Sequence, residues 1–193
     1  MSFFLSLLAA KGLGALISSL LLLTQNTPGF SSPSLLVQND TLYLETTLRH
    51  GFDKHLDQLL ESGSLIAIGY TVTIFSRDDN GQISTVSLAF FHSALYDPVT
   101  KSYTVYRSEL AGQPDSTITA DKLSQAKRLL ADISAPLVPA SILPKGQQFS
   151  CRIEAALNTI GLEAMDGKEL DLNVFWNYRY PKAVTPWKTA IKP

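Results

Sequence analysis

LIAIGYTVTIFSRDDNG, residues 65–81, carries the strongest strand and turn pattern in the chain. Ile66, Ile68, Tyr70, Val72 and Ile74 fall at every second position, the period of a strand with one face turned to a core. Asp78-Asp79-Asn80-Gly81 then ends the run. Asn-Gly adopts positive φ at little cost, which a tight hairpin turn requires. The chain should therefore return as an antiparallel strand from about Gln82 to Tyr96. Asp97-Pro98 marks the next turn, and Ser102 to Ser108 reads as a third strand of the same meander.

On the N-terminal side, Leu42, Leu44, Thr46 and Leu48 alternate with Tyr43, Glu45 and Thr47, another half-buried strand. Phe52, Leu56, Leu59 and Leu60 follow at helical spacing, with Asp53 near the start and Gly63 as a stop. Asn39-Asp40-Thr41 fits a glycosylation acceptor and also a turn between Leu35-Val37 and Leu42-Leu48; the turn is the preferred reading. On the C-terminal side, Gly112 to Ser116 reads as a loop. Thr119 can cap a second helix with Leu123, Ala126, Leu130 and Ile133 as its stripe. Pro136, Pro139 and Pro144 should keep the chain extended and irregular. Gln148 to Leu157 and Leu170 to Tyr180 read as two closing strands joined through an Asp166-Gly167 turn. The expected order is β-α-β-β-β-α-β-β: an α+β domain, a curved antiparallel sheet with two helices packed on it. An apolar N-terminal helix should precede it.

That leading segment is the apolar run from Phe3 to Leu23, followed by the polar stretch Thr24 to Ser34. The unbroken part, Gly12 to Leu23, suits a signal core; counted from Phe3 the run could span a bilayer, with Lys11 interrupting it. Gly29 and Ser31 place small residues at a cleavage site after Ser31. Residues 1–31 are thus a signal peptide or a membrane anchor, and 35–193 a single domain. The expected location is the periplasm or the extracytoplasmic face of the inner membrane, with membrane contact through residues 3–23 if the leader is retained.

Of 193 residues one is a cysteine, so an internal disulfide is excluded, and Cys151 lies too far from the leader to carry a lipid anchor. It shares a strand face with Phe149 and Ile153 and reads as a buried apolar residue. A net charge of −1 argues against a nucleic-acid partner. His50 and His55 are five apart, the wrong spacing for two ligands on one helical face. Asp53, Asp57 and Glu61 do share a face, most simply a solvated acidic one. The Asp78–Gly81 turn lacks the alternating ligands and closing glutamate of a calcium loop. No nucleophile elbow, phosphate loop, dinucleotide glycine pattern or zinc-protease motif occurs, so no metal, cofactor or catalytic residue is assigned.

Two groups of aromatics stand out. Trp176, Tyr178, Arg179, Tyr180, Trp187 and Lys188 combine residue types enriched at binding hot spots with positive charge and suit a partner-binding surface. Val174, Trp176 and Tyr178, as one face of a strand, could equally fill the core. Phe75, Phe90, Phe91 and Tyr106 could line a ligand site in the concave face of the sheet, or simply pack in the core.

From Leu42 to Trp187 the chain resembles an uncharacterised family of bacterial exported domains of unknown function. The matching pieces are the helix Leu56-Asp57-Gln58-Leu59-Leu60-Glu61-Ser62-Gly63, the strand Ile66-Ala67-Ile68-Gly69-Tyr70-Thr71-Val72, the Tyr-containing strand Ser102 to Ser108, and the final Trp. The paired tryptophans of the first hairpin are missing, since Phe75 to Asp79 holds none. Genes of that family often lie beside membrane sensor kinases of nitrogen regulation, so the resemblance implies an envelope or membrane protein as partner and transfers no catalytic residues. The first expectation is therefore a non-catalytic, envelope-located domain that binds a protein partner. The alternatives are a carrier or sensor of a small apolar ligand or lipid, and a hydrolase with a dispersed Ser/His/Asp site.

Overall fold

The computed structural model describes residues 27–108, 115–143, 146–162 and 168–189. The hairpin of residues 65–81 is its centre. Strand β4 (Ile66–Arg77) pairs with β5 (Ile83–Asp97) along its whole length, Ile66 opposite Ala94 and Arg77 opposite Ile83. On its other side β4 pairs with β9 (Gln148–Leu157). The large sheet continues through β6 (Ser102–Arg107) to β7 (Ser116–Ala120). At the β9 edge it ends in two short strands, β12 (Lys182–Val184) and β13 (Lys188–Thr189). A second sheet is built on β3 (Thr41–Arg49). β1 (Gly29–Phe30) and β2 (Ser34–Gln38) lie along one side of it and β8 (Asp132–Pro139) along the other. Every described pairing is antiparallel, including the small hairpin β10 (Thr159–Leu162) with β11 (Lys168–Asp171).

The inward residues of β4 are those the alternation marks: Ile66, Ile68, Tyr70, Val72 and Ile74 are all buried. They meet Leu42, Leu44 and Leu48 of β3, and Ile133, Ala135 and Leu137 of β8, in one core cluster. The first helix, α1 (Lys54–Glu61), starts where Asp53 accepts hydrogen bonds from the His55 and Leu56 amides. It stops where Gly63 takes φ +84°, a conformation costly to residues with a Cβ. Helix α2 (Leu123–Ala131) buries Ala126, Leu130 and Ala131. Lys127 of α2 reaches Asp57 of α1 at 2.8 Å. Asn39 and Asp40 both have positive φ and close the β2–β3 hairpin.

Several expectations need correction. Thr119 is not a helix cap: it lies in β7, and α2 starts after Lys122 without a side-chain cap bond. Ile133 and Pro136 belong to β8. The sheet accommodates Pro136 because β8 is an edge strand and its register shifts there, Leu42 facing Val138 and Tyr43 facing Pro136. The closing strand expected over residues 170–180 ends at Asp171. Leu172–Trp176 is a 3₁₀ turn, begun by the Asp171 carboxylate accepting the Asn173 amide. Asn177 and Tyr178 then take positive φ and reverse the chain. Asn173 locks the turn by bonding both the amide and the carbonyl of Leu157.

The domain also reaches further toward the N-terminus than Leu35. Ser31 donates its amide to the Thr47 carbonyl, accepts the Thr47 amide on its hydroxyl, and accepts the Thr46 hydroxyl on its carbonyl. The apolar leader and the Asp166-Gly167 turn lie outside the described residues, as does most of the loop read at residues 112–116; Ser116 itself opens β7. Among the described residues no helix is long and apolar enough to cross a membrane.

Candidate functional site

The first and last described segments meet along one side of the molecule. Residues 27–38 run beside residues 179–188, although some 150 positions separate them. At one end of this seam Arg179 Nη1 donates to Thr27 Oγ1 at 3.2 Å. At the other, Lys188 Nζ donates to the Leu35 carbonyl at 2.8 Å. Between them β12 and β13 hold the edge of the large sheet, with the Ala155 amide bound to Pro181 O and the Thr185 amide to Cys151 O.

Five of the six residues proposed for partner binding lie on this seam and are exposed. Tyr178 is 57% and Tyr180 51% exposed, on either side of Arg179. Trp187 is 38% exposed, with the Arg77 guanidinium 4.2 Å from its ring centroid. Leu36 and Val37 on β2 and Val184 on β12 are exposed as well. Trp176 is the exception. It is 2% exposed, and its indole N–H donates to the Gly51 carbonyl at 2.9 Å. It is a core residue, because the 3₁₀ turn directs Leu172, Phe175 and Trp176 inward together.

The four aromatics proposed for a ligand do not share a site. Phe90 is buried on the inner face of the large sheet, 5.1 Å from Tyr70 ring to ring. Phe91 and Tyr106 pair on the opposite face at 5.5 Å, where Tyr106 donates to Asp115. Phe75 lies elsewhere on that outer face beneath Arg152. An apolar cavity of about 210 Å³ does exist, between the β4–β5 hairpin and the end of β8, lined by Ile74, Val86, Val138 and Leu143 among others. None of the four aromatics lines it.

A buried polar network was missed in the sequence. The Leu130 carbonyl, at the C-terminal end of α2, accepts from Tyr70 Oη at 2.8 Å and faces His92 Nδ1 at 2.9 Å. Arg107 Nε donates to His92 Nε2 at 3.3 Å, and Arg107 Nη2 to the Asp132 carbonyl at 3.1 Å. Arginine can only donate, so Nε2 accepts and Nδ1 carries the proton of a neutral imidazole. Burial, aided by the Arg107 charge and opposed by the Leu130 carbonyl, lowers the His92 pKa to about 4. Burial likewise pushes the Tyr70 phenol up. The signal was available: His92 falls in phase with inward Phe90 and Ala94. Its partners come from α2 and β6, which no local pattern reveals. Tyr70→Phe should cost roughly 1 kcal/mol in urea unfolding, one neutral hydrogen bond, because His92 still serves the Leu130 carbonyl.

Arg107 leads from this network to a polar depression of about 410 Å³, lined by Ser31, Glu45, Thr47, Asp132 and Ser134 among others. Asp132 there accepts the Thr47 hydroxyl at 3.0 Å. No imidazole hydrogen-bonds to a serine or a carboxylate among the described residues. His92 is taken up by Leu130 and Arg107, His55 stacks on Phe175, and His50 is exposed at positive φ. The acidic helix face is likewise divided: Asp53 caps α1 and Asp57 pairs with Lys127. No group of three or more metal-ligating side chains occurs among the described residues.

The molecule is an antiparallel α+β domain in which residues 27–38 and 179–188 meet at one edge and aromatic and basic side chains are exposed there. The chain belongs to the family described as Domain of unknown function (DUF4390), which it matches over residues 27–176. The match opens at Thr27, where the seam begins, and ends at the buried Trp176. No curated protein and no solved structure matches the chain.

Proposed function

We propose that this is an exported, non-catalytic domain of the cell envelope, at the periplasmic side of the inner membrane, that binds a protein partner. The observation that supports this reading is the seam: Trp187 is exposed beside Arg77, Lys188 reaches the Leu35 carbonyl, and Leu36, Val37 and Val184 are exposed on β2 and β12, which are outermost in their sheets among the described residues. Open strand edges accept a further strand by main-chain hydrogen bonding. Exposed aliphatic and Trp side chains add apolar area, and the cations favour an acidic partner segment.

A photo-crosslinker at position 187 of the chain in cells should capture a partner that one at Val99, on the distant β5–β6 turn, does not. With that partner purified, Trp187→Ala together with Lys188→Ala should weaken binding about thirtyfold, the loss of roughly 2 kcal/mol at a hot spot. Unchanged affinity with an unchanged melting temperature removes this surface. The small-ligand reading has the 210 Å³ cavity in its favour, although that volume is below the usual range of about 300–1,000 Å³ for ligand pockets.

A further inference from the structure

We infer that the end of the seam formed by Tyr178, Arg179 and Tyr180 rests on an anionic lipid bilayer. The inference builds on the envelope reading and adds an orientation to it. Its basis is the place of Thr27 in the fold, four residues after the apolar run. Thr27 is held at 3.2 Å by Arg179, and the apolar run of the sequence ends at Leu23. Four residues span at most about 14 Å. A leader retained in a membrane therefore brings the Tyr178–Tyr180 turn close to the headgroups, at whatever angle the domain hangs.

The residues at that end have the matching chemistry. Tyr178 and Tyr180 are exposed, and positive φ at Asn177 and Tyr178 forms the turn that presents them. Tyrosine is enriched at the bilayer interface because its ring is apolar and its hydroxyl polar. Arg179 lies between them and Lys182 is exposed just beyond. Arg49, paired with Gly29 in the β1–β3 ladder, is exposed beside the same entry point. The carboxylates nearby are engaged: Glu154, opposite Lys182, pairs with Arg152 at 3.0 Å, and Asp171 binds Asn173. Arg49, Arg179 and Lys182 outnumber Asp171, whose hydrogen bonds to Asn173 leave its charge in place, and this excess of cations favours anionic headgroups.

The fold also favours retention of the leader, or a cut upstream of Thr27, over cleavage after Ser31. Such a cut would remove β1, with Phe30 that packs 6.4 Å from Tyr70 ring to ring, and the Thr27 contact of Arg179. It would also remove Ser31, and with it the bonds to Thr46 and Thr47 that fix the start of the second sheet.

The test uses the full chain, reconstituted into vesicles of phosphatidylethanolamine and phosphatidylglycerol carrying a headgroup nitroxide. A bimane probe is placed at Tyr180→Cys, at Tyr178→Cys as a second site, or at Asn80→Cys on the hairpin tip at the opposite end of the strands. The native Cys151 is buried and its thiol is pushed up to about 12, so it stays unlabelled. Probes at 178 and 180 should lose fluorescence while the one at 80 keeps it. The loss should diminish when phosphatidylcholine replaces phosphatidylglycerol or when salt is raised. A chain that floats with the vesicles but is quenched equally at 80 and 180, or at neither, overturns the orientation and leaves the envelope reading standing. A chain that does not float overturns the tether itself.

Discussion

Trp176→Ala should destabilise the domain by about 3–5 kcal/mol, a large share of the roughly 5–15 kcal/mol that a domain of this size has. The indole is 2% exposed and its N–H is satisfied by the Gly51 carbonyl. Truncation opens a cavity beside Gly51 and leaves that carbonyl without its partner. Trp187→Ala, by contrast, should cost at most about 1 kcal/mol, the value of an exposed cation–π contact with Arg77. The chain holds two tryptophans, so each variant leaves a single reporter. Urea unfolding should show a much lower midpoint for Trp176→Ala than for Trp187→Ala, and the emission of the remaining indole should be blue-shifted for Trp176 and red-shifted for Trp187. Equal midpoints would place Trp176 at the surface with the other aromatics and undo the 3₁₀ assignment.

The domain should lose stability as the pH falls from about 6.5 toward 4. His92 is kept neutral in the fold and its pKa lies at about 4, against 6.5 for an unperturbed histidine. Between those values the unfolded chain binds a proton that the folded chain declines, so stability rises with pH across the window and levels off above it. The full difference is roughly 3 kcal/mol. Protonation would set an imidazolium N–H against the Arg107 guanidinium, which already occupies Nε2. Urea unfolding at a series of pH values should show the decline beginning below 6.5. His92→Gln should be less stable at neutral pH and nearly flat between 6.5 and 5, before the carboxylates begin to titrate. A wild-type profile flat over that interval would mean that His92 is charged or solvated in the folded protein.

The centre of this fold is legible in the residues alone. The alternation over residues 66–74 set the inward face of β4, and Asn80-Gly81 set the return that pairs β4 with β5. Asp53 and Gly63 bounded α1, and Asn39-Asp40 turned the chain between β2 and β3. These features are local: a period of two, a capping carboxylate, a residue that tolerates positive φ. The segment from Leu170 to Tyr180 shows where such signals stop. Its apolar residues fit a period of two, yet they bury as a 3₁₀ turn because Asp171 and Asn173 bind main-chain groups that only the folded β9 supplies. Which of the clustered aromatics are core and which are surface follows from the packed sheets, which separate Trp176 from Trp187 and Phe90 from Phe91. The tertiary structure alone brought Thr27 to Arg179 and Leu35 to Lys188, because contacts across 150 residues depend on which sheet edges remain open once the central strands have paired, and no short pattern in the chain encodes that.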